Sequence, residues 1–400
     1  MKYSKFEKRK LGEILNFRRG HDLCKKDMIH GIYPVVGSNG VIGYHNKFTT
    51  DAPCLTIGRS GNIGTPHFLN QKCWAHNTTL YVDDFKGNNP EYIYYLLKTL
   101  DLAHYGGGSA VPTLNRNHIH PVDVIFTTNT KVQIKIARIL STIDKKIEMN
   151  NSINENLQSI SQLLFKRWFV DFEFENEEGL HYKSSGGDMV DSELGMIPKG
   201  WKIDTIFNIA EVIGGGTPPT KNEEYYTDNE IAWITPKDLS GYTFKFISRG
   251  NRDITESGFK NSSAKLIPKG TVLFSSRAPI GYIAIAKNEA CTNQGFKSLV
   301  PKEGFGTEFI YNILISNKDK IEGLANGSTF KEVSGQTIKE FKITVPIKPI
   351  LDRFEELAKD LSKKILNNEE EIITLTNLRD TLLPKLMNGE IDLDNLEINL

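Results

Sequence analysis

Cysteine is scarce in this chain of 400 residues: Cys24, Cys54, Cys73 and Cys291 are the four, and none stands in CxxC or zinc-finger spacing. That excludes a small disulfide-stapled framework and a metal finger, and leads us to expect four buried, reduced thiols in a cytoplasmic protein. Long apolar runs are also missing. None approaches the roughly 20 residues that span a bilayer, so no membrane partner is expected. The start, MKYSKFEKRK, is basic without an apolar stretch behind it and does not read as a secretory signal. Net charge is absent too, with 49 Lys and Arg against 49 Asp and Glu. Familiar catalytic signatures are missing: there is no Walker motif, no Gly-rich S-adenosylmethionine loop, no N-P-P-Y/F or D-P-P-Y tetrad, no G-x-S-x-G and no HExxH. No catalytic residue, cofactor or metal is therefore assigned to this chain. His118 and His120 form an HxH without a cysteine or carboxylate cluster nearby and read as a structural pair, as do His76 and Asn77 beside Trp74.

One local absence is more informative. From Lys131 to Phe174 there is neither Pro nor Gly, so nothing in that run breaks a helix. Leu140, Ile143, Ile147, Leu157, Leu164 and Trp168 recur at steps of three, four or seven once Asn150 and Asn154 are counted between them. This is the narrow seam of a coiled coil. The pattern returns at Ala358, Leu361, Ile365, Ile372, Leu375, Leu382 and Leu386, displaced by 218 residues: Ile143 falls on Leu361, Asn150 on Asn368 and Trp168 on Leu386. Asn150 and Asn368 thus occupy equivalent seam positions and are candidate register pins. Pro384 is a point of difference that could kink or end the second helix, and Asn388–Gly389 is a stop signal.

The same 218-residue offset relates Leu55 to Leu273, Arg59 to Arg277, Cys73 to Cys291 and Val82 to Val300. The chain is therefore a duplication of globule plus long helix. The expected divisions are a globule over 1–130, a long helix over 131–174, a Gly/Ser-rich linker over 175–200, a second globule over 201–349, a second long helix over 350–389 and an acidic tail over 390–400. The fold class is α+β: two pseudo-repeated α/β globules, with the two helices pairing as an antiparallel coiled coil. Within the first globule, Tyr33–Phe48 and Ala52–Asn70 read as short strands and turns, Pro90–Leu102 as a helix and Gly106–Asn115 as a Gly-rich loop. In the second, a short helix is expected near Glu308–Ile315 and a strand in IKEFKITVP.

The zero net charge conceals a division. Residues 2–120 carry 15 Lys/Arg against 9 Asp/Glu, residues 199–300 carry 13 against 10, and residues 366–400 carry 2 against 8. Two mildly basic globules and an acidic end are compatible with a polyanionic ligand. Candidate contacts sit where small residues let a backbone approach such a ligand. Arg59, Ser60 and Asn62 lie in IGRSGNIG, Arg277 lies in SSRAPIG, and Lys47 follows YPVVGSNGVIGYHN. A guanidinium there can fork onto a phosphate or a guanine edge; an ion pair within its own globule is the alternative. Thr217, Thr220 and Lys221 belong to GGGTPPTKN, which lacks P-loop spacing and whose prolines remove needed amides. Lys237 in TPKDL has a similar setting.

The segments YPVVGSNGVIGYHN, IGRSGNIG, LLFKRWFVDFEF, DSELGMIPKGW, GGGTPPTKNEEYY with IAWITPKDLSG, and LRDTLLPKLMNGEIDL together resemble a type I restriction–modification specificity subunit, over almost the whole chain and in the family's order. The resemblance implies that each globule is a target recognition domain reading one half of a split double-stranded DNA site. It implies two methyltransferase (M) subunits as partners, with restriction/translocase (R) subunits joining for cleavage. S-adenosylmethionine and ATP would then be bound by those partners and not by this chain. A helix of about 40 residues is ~60 Å long, and half-sites one turn of duplex apart are ~34 Å centre to centre, within that reach. Because the globules differ in sequence, the two half-sites should differ too. A non-catalytic helical scaffold whose globules bind protein or glycan is the alternative function, distinguishable by an absence of salt-dependent DNA affinity.

Overall fold

A computed structural model of the chain describes residues 6–107, 112–327 and 331–393. Parts of the two Gly-rich loops, at Gly108 and Ser328, and the end of the acidic tail lie outside the described residues. The chain divides into two compact units, one comprising Met1–Glu148 with Ile372–Leu400 and the other Met149–Glu371.

Each long helix has 40 residues, Thr130–Phe169 and Lys348–Met387, so both ends repeat at the offset of 218. Asn129 starts the first, its side-chain oxygen accepting from the Lys131 amide at 3.1 Å. That helix stops at Phe169, short of the expected end at 174. Pro384 does not stop the second, which continues to Met387; Gly389, at φ +74°, then turns the chain away. Proline at this point costs one intrahelical hydrogen bond near the helix end, and the last turn is closed by the Asn388 amide on the Pro384 carbonyl at 2.9 Å and the Glu390 amide on the Lys385 carbonyl at 2.9 Å.

In the first unit, Val132, Ile136 and Leu140 pack into one core with Leu383, Leu386 and Met387. Arg379 bridges the two helices by donating to Asp144 at 2.8 Å. In the second unit, Phe165 and Phe169 close on Phe354, the latter pair at 4.9 Å between ring centroids. Contacts in both units pair rising numbers on one helix with falling numbers on the other, so within each unit the helix segments run antiparallel. The seam contains Asn150 and Asn368, each making a cross-helix bond: Asn150 donates to Glu371 and Asn368 to Asn154, both at 2.8 Å.

The main sheets of the two globules share one strand order. In the first, a four-stranded sheet has the order Asn16–Arg19, Thr79–Asp84, Cys54–Gly58, Pro66–Leu69. The second has the counterparts Ala210–Gly214, Phe296–Pro301, Val272–Ser276, Ile280–Ala286, with Phe246–Ile247 added at the edge. A smaller three-stranded sheet accompanies each. In it Tyr33–Gly37 pairs in parallel with Trp74–Ala75, and Trp233–Ile234 with Ala290–Thr292. The offset is not constant, however. Leu11–Ile14 corresponds to Ile206–Ile209, an offset of 195, whereas Cys54–Gly58 corresponds to Val272–Ser276, an offset of 218. The second globule therefore holds 23 additional residues between these points, the difference of the two offsets.

Several expectations are corrected. Cys54 and Cys73 form a disulfide, and Cys24 is exposed; Cys291 is the buried free thiol, pushed up to about 12 by burial. The pair meets because Cys54 leads its strand and Cys73 is bridged to Thr50, just before it. Residues 175–200 are not a plain linker. They include the paired strands Met189–Val190 and Ile197–Pro198, and the segment is fastened by Phe172, Phe174 and Trp201, all buried in the second core. The helix near Glu308 runs from Thr307 to Gly323, and Ile338, Lys339 and Glu340 of IKEF end a helix, Gly335–Glu340, before the strand Lys342–Val345. Ser334 caps that helix through the Thr337 amide, a local signal that outweighs the β-branched composition. No helix is long and apolar enough to cross a membrane among the described residues.

Candidate nucleic-acid interface

Each globule holds its arginine turn on one loop, the stretch that follows the parallel-paired strand of the small sheet. In the first globule this is His76–Thr78. The Thr78 carbonyl accepts from the amides of Arg59 at 2.7 Å and Ser60 at 3.3 Å. Its hydroxyl accepts from the Ser38 amide at 3.3 Å, which ties the hairpin Tyr33–Gly37/Gly40–His45 to the arginine turn. His76 is held by the Leu23 carbonyl at 3.1 Å and by the Thr78 hydroxyl. Asn77 donates to Asp22. The structural reading of His76 and Asn77 therefore applies, but their loop positions Arg59.

Arg59 stands in a depression of about 380 Å³ with Arg18, Arg19 and Arg116. Arg18 pairs with Asp83 at 2.9 Å, Arg19 with Asp22 at 3.1 Å, and Arg116 donates to the Phe17 carbonyl at 3.3 Å. Among the described residues no side-chain partner meets the Arg59 guanidinium. Four guanidinium groups facing one hollow, two of them offset by carboxylates, make a seat for an anion such as a phosphate. Ser60 is half-buried. Asn62 is exposed, its side-chain oxygen accepting from Thr65 at 2.9 Å, and Lys47 is exposed in the stretch after the hairpin. His120, near Arg116, accepts from the Phe17 amide at 3.2 Å. Burial, with Arg116 and Lys86 nearby, holds its pKa below the ordinary value, so it is a neutral acceptor. No group of three metal-ligating side chains occurs among the described residues.

In the second globule the equivalent loop is Asn293–Gly295. The Gly295 carbonyl accepts from the amide of Ser276, immediately before Arg277, at 2.8 Å. Thr217 donates to Gln294, and Gly216 is held by the Thr292 carbonyl at 2.8 Å. Gly295 lies against Pro236, whose turn exposes Lys237 and is closed by the Thr235–Asp238 hydrogen bond at 2.7 Å. Gly216 also accepts from the Trp233 indole at 3.0 Å, and Pro218 from the Tyr226 hydroxyl at 2.7 Å. The GGGTPP strap is therefore pinned while Thr220 and Lys221 beyond it are exposed. Arg277 differs from Arg59. It lines a depression of about 510 Å³ but lies 3.5 Å from Glu332, which also takes Lys297 at 3.2 Å.

Sequence reasoning missed Arg18, Arg19 and Arg116, for which the adjacent Arg18–Arg19 pair was the available signal. It also missed Lys245, buried in the second unit. Its ammonium bonds Glu308 at 2.6 Å and Ser362, while its amide donates to Glu369 at 2.5 Å.

The family model described as the type I restriction modification DNA specificity domain matches residues 3–159 and 198–371. The type I restriction enzyme MjaIX specificity subunit of Methanocaldococcus jannaschii is 43% identical over 183 residues, 44% of this chain and 42% of that relative. The EcoR124I/EcoR124II specificity subunit of Escherichia coli is 31% identical over 379 residues, 88% of this chain and 87% of that protein. The S subunit of a type I restriction-modification system from M. genitalium shares the fold, with a TM-score of 0.65 over 96% of both chains at 18% identity.

Proposed function

The chain belongs to the type I restriction–modification specificity subunits, and from that premise we propose that its two globules each read one half of a bipartite, asymmetric site in duplex DNA. Such a subunit is non-catalytic and carries no cofactor of its own. In the proposed assembly two methyltransferase subunits supply S-adenosylmethionine and the methyl transfer, restriction/translocase subunits supply ATP-driven cleavage, and the complex works in the cytoplasm. The domain limits carry over with the helices at Thr130–Phe169 and Lys348–Met387. DNA contacts are assigned to Lys47, Arg59, Ser60 and Asn62 in the first globule and to Thr217, Thr220, Lys221, Lys237 and Arg277 in the second.

The observation that carries this reading is the duplication of a scaffold with unlike surfaces. Both globules build an arginine turn on the equivalent loop, yet one presents four arginines and the other an arginine that shares a single glutamate with Lys297, together with a lysine-bearing strap. Equal frames with unequal surfaces are what two different half-sites require. The long helices act as the ruler between the half-sites, with Asn150 and Asn368 pinning their register through Glu371 and Asn154.

Single-molecule sequencing of DNA from cells carrying this chain and its methyltransferase partner tests the proposal. A methylated motif of two unlike halves with an unread gap is expected; methylation without such a consensus would defeat it. Inserting one helical turn near Asn150 should lengthen the gap and leave both halves intact, and an altered half-site would contradict the ruler.

A further inference from the structure

The first globule carries an edge strand poorly suited to open water. Gly40–His45 is the outer strand of its three-stranded sheet, paired with Tyr33–Gly37. It exposes Val41 at 48%, Ile42 at 47% and Tyr44 at 53%, whereas the opposing Val35 and Val36 are fully buried. Single exposed hydrophobes are ordinary, but three on one six-residue edge strand are a liability unless something covers them. The strand carries a β-bulge at Ile42, where the register shifts opposite Val35 and Val36, so strict alternation is broken there and it is their exposure that makes Ile42 and Tyr44 available. The second globule has no comparable strand among its described residues.

The surroundings say what would cover it. The hairpin turn abuts the arginine turn: Ser38 lies against Gly58 and Gly61, a Cβ on Gly61 coming within 3.3 Å of the Ser38 hydroxyl. Its carbonyl accepts from His67 at 3.0 Å, and its amide is held by Thr78, the residue that also holds Arg59. The apolar strand and the four-arginine hollow therefore belong to one continuous surface. A second copy of the chain pairing edge to edge would bring its own arginine cluster against this one, an arrangement that like charge opposes. A duplex supplies both complements. Its phosphates match the arginines, and its major groove, about 12 Å wide, admits a two-stranded ribbon and offers thymine methyl groups to apolar side chains.

We propose that the Tyr33–His45 hairpin is the base-reading element of the first globule, with Ile42 and Tyr44 against base edges and thymine methyl groups and Arg59 on a flanking phosphate. This rests on the DNA-reading function above and assigns it to particular side chains.

The test uses the assembled methyltransferase complex containing either the natural chain or the Ile42→Ser/Tyr44→Ser double variant. Both side chains are exposed, so the variant should assemble and melt as the natural chain does. Once the methylated motif is known, binding is measured to that duplex and to duplexes in which the thymidines of one half-site are replaced by deoxyuridine, which lacks the methyl group. The natural complex should lose about tenfold in affinity for deoxyuridine in one half-site. The double variant should bind that duplex and the unmodified one equally, while still reading the other half. Unchanged motif and unchanged deoxyuridine sensitivity in the variant would overturn the proposal, as would indifference of the natural complex to deoxyuridine in both halves. Loss of self-association in the variant with its motif intact would assign the edge to a second copy and overturn it as well. A natural complex without a bipartite motif removes the premise and the proposal together, and that result is visible before any variant is made.

Discussion

The two globules use one frame in two chemical styles. In the first, the frame's loop holds an arginine with no described side-chain partner, and the neighbouring hairpin is exposed and apolar. In the second, the equivalent arginine shares Glu332 with Lys297, the strap Gly214–Asn222 is pinned by the Trp233 indole, and an edge strand, Phe246–Ile247, is added to the main sheet. The attachments to the long helices differ as well. In the first unit Gln133 donates to the Thr127 carbonyl at 2.8 Å and to Asn88 at 2.9 Å, and its own oxygen accepts from the Asn89 amide. In the second a buried lysine binds a glutamate and a helix serine. After duplication, a hydrogen-bonded frame tolerates large changes in the side chains hung on it, provided each buried polar group still finds a partner.

The difference in attachment is broken most severely at Lys245. Lys245→Met would leave the Glu308 carboxylate buried without its cation, at a cost of about 3–5 kcal/mol. Gln133→Leu in the first unit removes neutral hydrogen bonds and should cost about 1–3 kcal/mol. Hydrogen exchange resolved to each unit would show the two losses separately; equal losses would mean that the buried charge adds nothing to the attachment.

A pH effect follows at the same place. Burial pushes Glu369 up to about 7 from 4.5, against the opposing pull of the Lys245 and Phe246 amides and the Lys245 charge. Its pKa in the native state lies above that of the unfolded chain, so the native state holds more protons between these values. Stability of the second unit should therefore fall as pH rises from about 4.5 to about 7 and level off above. Glu369→Gln should flatten that slope in pH-dependent denaturation; a slope left unchanged would clear Glu369 of the effect.

The contrast between the arginines is sharpened by salt. Arg59→Ala should weaken reading of one half-site and lower the salt-dependence exponent of DNA binding by about 1, the signature of one lost phosphate contact. Arg277→Ala should weaken the other half-site with a smaller change in exponent, because Glu332, which Arg277 shares with Lys297, offsets part of that charge. Equal exponents in binding titrations of the complex would show that the ion pair opens on DNA.

The smallest effect is expected at the seam. Asn150→Leu removes the bond to Glu371, and Asn368→Leu the bond to Asn154; each should change stability by about 1 kcal/mol or less. If these residues are register pins, the variants should show a broadened distribution of gap lengths in the methylated motif. A single unaltered gap would reduce them to ordinary polar contacts.

The long helices were legible from residue pattern because their information is local. A Pro- and Gly-free run with a repeated apolar seam announces itself within a few turns, and the offset of 218 then located its twin, whose limits at Lys348 and Met387 fall two residues before the expected 350 and 389. The arginine turns were legible for the same reason, each lying between strands of strong β propensity. The arginine hollow was not. Arg18 and Arg19 reach Arg59 because their strand pairs antiparallel with Thr79–Asp84, and Arg116 arrives from beyond a Gly-rich loop. The Cys54–Cys73 disulfide likewise depends on a bridge at Thr50 that composition does not announce.

Sequence alone determined that this is a twofold repeat of globule and long helix, because periodicity and offset are properties of residue order. Tertiary structure decided which of two matching arginines is open. Glu332 stands 55 residues from Arg277, and its approach is set by an isolated bridge between Asn326 and itself. Charge partners separated by that much chain meet through packing, and their meeting separates the electrostatic surfaces of two globules that share a fold.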